Sequence, residues 1–110
     1  MIAEQMEQQI IKKEILNKRL TDLLNQQVAL EIRESNKRAS LMNSDLSEVI
    51  DGKITEKAKI AYCDTVLKNE VNKIKHLKKD VASVKREIEL VNDRISLAKY
   101  TIRELQIGGE

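Results

Sequence analysis

The chain has 110 residues, 35% of them charged and 2% aromatic, with no Pro, Trp or Phe and a formal net charge of +2. This length allows one domain at most, and without Phe or Trp its apolar burial must come from aliphatic side chains along extended helical seams. The near balance of 20 basic and 18 acidic residues is not the strongly basic one that marks many nucleic-acid binders, and it rules out an acidic nucleic-acid mimic. One cysteine excludes an intramolecular disulfide framework. The longest apolar run, Ile60-Ala61-Tyr62-Cys63, is too short for a secretory segment or a membrane span. The expectation is a soluble protein of the cytoplasm, with no membrane contact.

The first predicted helix covers about 2–41. Leu16, Leu20 and Leu23 keep heptad spacing, after which Leu20, Leu24, Val28 and Ile32 step by fours. A run of fours lets an apolar stripe drift around the helix, so a regular supercoil is not supported through this half.

Between Ser35 and Thr55 the texture changes. Ser35, Asn36, Ser40, Asn43, Ser44 and Ser47 compete with the helix for backbone hydrogen bonds. Asp45 and Glu48 are spaced as in a capping box and predict a short helix over about 45–50. Asp51-Gly52 then marks a turn over 51–54. A helix that simply runs on through Met42, Leu46 and Val49 is the alternative, since these fit a seam with Ile32 and Ala39.

The long helix is expected over about 55–107. Thr55 can cap its first turn, Glu56 suits the positive end of its dipole, and Gly108-Gly109 would end it. Along it Leu77, Val81, Val84, Ile88, Val91, Ile95, Ala98, Ile102 and Leu105 follow steps of four and three without a miss. Such spacing faces a partner helix continuously only if the two supercoil. Before Leu77 the seam passes through Ile60, Leu67, Val71 and Ile74, and Leu90 with Leu97 forms a second apolar line beside it. That wider face suits a bundle of three or more helices.

The reading that results is an all-α protein: an antiparallel hairpin of two long helices with a short helix near the bend. Its copies would assemble as a coiled coil or four-helix bundle, making a homo-oligomer of two or more chains. With Val81, Ile88, Ile95 and Ile102 at position a, the e positions are Lys78, Lys85, Asn92 and Lys99. Antiparallel pairing of this seam with its own copy would set lysine against lysine, a cost of a few tenths of a kcal/mol per pair. Parallel pairing places Asp80 near Lys85 but Arg94 near Lys99. The first helix, with its Glu and Gln residues, is the more suitable neighbour.

The stretch from Met42 onward resembles small helical coiled-coil proteins of phages and prophages of Gram-positive bacteria. These carry a short polar helix, a turn and an N/T-E-K-x-R/K-x-A-Y element before a long heptad helix. Here the matching residues are Asn43-Ser44-Asp45-Leu46, then Thr55-Glu56-Lys57-Ala58-Lys59-Ile60-Ala61-Tyr62, and the tail from Arg94 to Glu104. Lys59 stands where the pattern more often has Arg, which lacks a counterpart in Lys for bidentate bonding. The resemblance implies a phage setting in a host cytoplasm and supplies no mechanism, because such proteins are largely uncharacterised.

Candidate chemistry is sparse. Cys63 lies on the apolar side of its helix. The only histidine, His76, is thirteen residues along it, roughly 20 Å away at 1.5 Å per residue. A packed structural thiol and a solvated imidazole explain both. No spacing of His, Cys or carboxylates predicts a metal site, no motif predicts a cofactor, and the expected class is not an enzyme. Lys68, Lys75, Lys79 and Arg86 share one helix face and could follow a phosphate backbone by charge alone. A solvated coiled-coil face explains them with no further assumption. Glu56, Lys57, Lys59 and Tyr62 could form a protein-docking patch. The expected function is a non-enzymatic interaction protein acting through self-association and contact with an unidentified protein. The alternatives are a nucleic-acid accessory protein of phage recombination or replication, and an inhibitor of a host enzyme.

Overall fold

A computed structural model describes residues 2–108. They form three helices and no strand: α1 (Ile2–Met42), α2 (Glu56–Val66) and α3 (Lys68–Gly108). The long helices α1 and α3 pack against each other. Gly109, the second residue of the expected terminator, lies outside the described residues. Neither long helix has a Pro, or a Gly before its last residue, and both are rich in Gln, Glu, Lys and Leu, which keep their rotamer freedom in a helix.

Helix α1 ends where the polar stretch begins. The Asn43 amide still donates to Ala39 O at 3.1 Å, while the Ser44 amide and hydroxyl both donate to Leu41 O, at 3.2 and 2.8 Å. The helix expected over 45–50 is instead a single turn. Val49 and Ile50 donate their amides to Leu46 O at 3.2 and 2.9 Å, and no further helical bonds follow. Asp45 does not complete a capping box with Glu48. Its carboxylate accepts from the Ser47 amide at 3.0 Å, closing a local loop two residues long that competes with helix propagation. Gly52 takes φ +83°, a left-handed backbone that the Asp51-Gly52 turn requires. Thr55 caps α2: its hydroxyl accepts from the Ala58 amide at 3.1 Å.

The continuous helix expected over 55–107 is interrupted at Leu67, where φ −95° and ψ 11° leave the helical well. The hydrogen bonds from Leu67 to Cys63 and from Val71 to Leu67 persist at 2.9 Å on either side. No Gly or Pro marks the place. The interruption coincides with a Leu67 side chain that is only 2% exposed.

The fold divides into two compact units. One comprises Met1–Leu24 and Lys79–Glu110, the other Asn25–Lys78. In the first, Leu16, Val84, Val91 and Ile95 form a buried cluster, with Met6, Leu20, Leu23 and Ile88 packed on it. Each such aliphatic side chain gains about 1.5–3 kcal/mol from burial. In the second unit Leu46, Cys63, Leu67 and Ile74 are buried. Across this unit Lys37 pairs with Glu70 at 3.0 Å, and Arg38 bonds both Glu34 and Asp64 at 2.8 Å. Lys78 approaches Glu31 at 3.8 Å. These pairs are partly or largely exposed, so each contributes about 0–1 kcal/mol, and they act chiefly on register.

The α1 face that is shielded from solvent differs from the apolar line that its sequence advertises. Met6, Gln9, Lys13, Leu16, Leu20, Leu23, Gln27, Leu30 and Glu34 are all buried or half-buried, and they follow a steady alternation of three and four. Four of them are polar. Leu24, Val28 and Ile32, the line of fours, are exposed. A three–four spacing of shielded positions therefore runs along α1, carried across polar residues.

Candidate functional site

The nine seam residues of α3 are shielded unevenly. Val81, Val84, Val91 and Ile95 are buried, Leu77, Ile88, Ala98 and Ile102 are half-buried, and Leu105 is exposed. Where the seam is buried it is already occupied, the cluster around Val84, Val91 and Ile95 being closed by Leu16 of α1.

The residues considered for docking sit at the start of α2. Glu56 and Lys57 are exposed, and Lys59 and Tyr62 are half-buried. The Lys59 ammonium bears on Asp45, whose carboxyl is held below its usual range. The main cause is the hydrogen bond from the Ser47 amide, with Lys59 a smaller one. Glu70 is likewise lowered, first by its hydrogen bond from Lys37. The Arg38 guanidinium is raised, first by its bond to Glu34 and then by that to Asp64. Both carboxylates have folded pKa values below their unfolded ones. Their contribution to stability is full above the ordinary carboxylate range, near 4, and is lost as pH falls through the lowered values. Thermal unfolding followed by circular dichroism is expected to show a falling midpoint between pH 5 and pH 2. Asp45→Asn with Glu70→Gln should flatten that slope, and an unchanged slope would refute the assignment.

Lys68, Lys75, Lys79 and Arg86 are all exposed and make no ion pair among the described residues. His76 is exposed, and Cys63 is fully buried. Among the described residues no group of three or more His, Cys, Asp or Glu is placed to hold a metal ion. Among the described residues no helix is long and apolar enough to cross a membrane.

An open cleft of about 530 Å³ lies in the first unit, between the start of α1 and the end of α3. Gln5, Gln8, Gln9, Arg94 and Thr101 line it beside Ile2, Leu97 and Ala98. Among the described residues that line it there is no carboxylate, imidazole or thiol, the groups that general acid–base or nucleophilic chemistry most often draws on. Gln9 Oε1 is buried there without a donor among the described residues. An orphaned acceptor of this kind is a local weakness of the α1–α3 contact.

Sequence reasoning missed the polar seam positions of α1 and the ion pairs of the second unit. The first were open to discovery by extending the spacing of Leu16, Leu20 and Leu23 through Gln27 and Glu34. The second had no local signal, because Arg38 and Asp64 meet only once α1 and α2 are in place. No family, curated protein or solved structure matches this chain.

Proposed function

We propose that this chain is a non-enzymatic helical interaction protein that works by self-association and by covering its apolar faces with other helices. Its α1 and α3 serve as the arms of an antiparallel hairpin, and copies of the hairpin assemble as a coiled coil or four-helix bundle. The observation that carries this reading is an imbalance of apolar side chains. Among the described residues nine hydrophobic side chains are buried, whereas fifteen large ones are exposed, among them Ile11, Ile15, Val28, Ile32, Leu90 and Leu97. A chain of this size gains little net stability from so few buried groups once ordering entropy is subtracted. Exposed aliphatic lines at helical spacing are what partner helices cover. The cytoplasm of a phage host remains the setting that the likeness over 42–104 supports.

Light scattering on the purified chain, from about 1 to 100 μM, tests the reading. A mass of at least twice 12.6 kDa is expected. A single-chain mass across the whole range would overturn it.

A further inference from the structure

The charges around the second apolar line of α3 identify an occupant for it. Leu90 and Leu97 are 56% and 66% exposed and lie seven residues apart, hence on one stripe of the helix. This stripe is distinct from the seam that Leu16 closes, and its Leu97 end, with Arg94, borders the cleft beside the start of α1. On one flank of Leu90 stand Glu87, three residues before it, and Arg94, four after. On the other stand Arg86, four before, and Asp93, three after. All four are exposed and make no ion pair or side-chain hydrogen bond among the described residues. Each flank therefore carries opposite charges on the two sides of Leu90.

That pattern is self-complementary. When two identical helices pair antiparallel about a two-fold axis, each flank meets the same flank of its copy with the chain order reversed. An axis through Leu90 then sets Glu87 opposite Arg94 of the copy and Arg86 opposite Asp93 of the copy, each pair occurring twice. Leu90 meets its own copy in the middle, and Leu97 lies over Ser83. A parallel pairing would instead bring Glu104, on the same stripe, against Glu104, and would align the two helix dipoles unfavourably. We propose that α3 binds α3 of a second copy antiparallel through this stripe, with Leu90 on the two-fold axis inside a ring of four ion pairs. The proposal rests on the self-association read above and names its surface, its occupant and its register.

Charge reversal in the full-length chain tests it by sedimentation equilibrium at low salt. Glu87→Arg is expected to weaken dimerisation about tenfold or more, since two attractive pairs become repulsive. Adding Arg94→Glu to the same chain restores the attraction and should return the constant to within about threefold of the starting protein. Arg86→Glu and Asp93→Arg form an independent pair on the other flank, and helix content by circular dichroism guards against unfolding of any variant. If the starting protein dimerises and Glu87→Arg leaves it unchanged, this interface is overturned while self-association stands. If the single change weakens it and the double does not restore it, the antiparallel register is overturned. A starting protein that stays a single chain removes both readings.

Discussion

Leu16→Ala is expected to destabilise the protein by about 2–5 kcal/mol, the range for truncating a buried leucine. Leu16, at 6% exposure, is the buried residue of α1, and it closes the cluster of Val84, Val91 and Ile95. These partners belong to a single helix with seven-residue and four-residue spacing. Their rigid frame cannot collapse into the space a lost isobutyl group leaves, so the cavity term adds to the transfer term. The neighbouring change Ile15→Ala removes as much apolar volume from a residue that is 63% exposed. In the isolated chain it should cost no more than about 0.5 kcal/mol. Urea denaturation of both variants, at a concentration where the chain is monomeric, separates them. Equal losses would mean that α1 turns a different face to α3.

Leu67→Ala is expected to have the second large effect, again about 2–5 kcal/mol, but in the second unit. Leu67 is 2% exposed and Cys63, one turn before it, is completely buried. The thiol reports on the same packing. In the native protein, labelling of Cys63 by a thiol reagent should be slow, because it requires local opening. Leu67→Ala should accelerate it by tenfold or more, since every 1.4 kcal/mol lost from the opening free energy is a factor of ten. Val66→Ala, at a position 45% exposed, is the control and should leave the rate nearly unchanged. Fast labelling in the native protein would contradict the burial of Cys63.

The two variants also bear on how far the candidate surfaces could be read in advance. Burial along α3 follows the four–three spacing of its aliphatic residues, because a helix with one dominant stripe has one way to face a neighbour. For α1 the same reasoning has two answers. Leu16, Leu20 and Leu23 point along one line, and Leu24, Val28 and Ile32 along another. Propensity and periodicity weigh both alike. The stripe of Leu90 and Leu97 was visible as a second line, but its meaning depended on finding that α1 covers the other face.

Amino-acid order alone determined that the chain is helical and that Thr55 opens the next helix. These are decided within a few residues, by propensity, by side chains that bond their own backbone and by capping. Tertiary structure alone decided that the helix is interrupted at Leu67, and that Gln9 and Gln27 turn inward while Val28 and Ile32 stay in water. The reason is that one helix fixes only its own phase. Which of its faces is covered, and in what register, follows from the fit between two helices whose residues are distant in sequence.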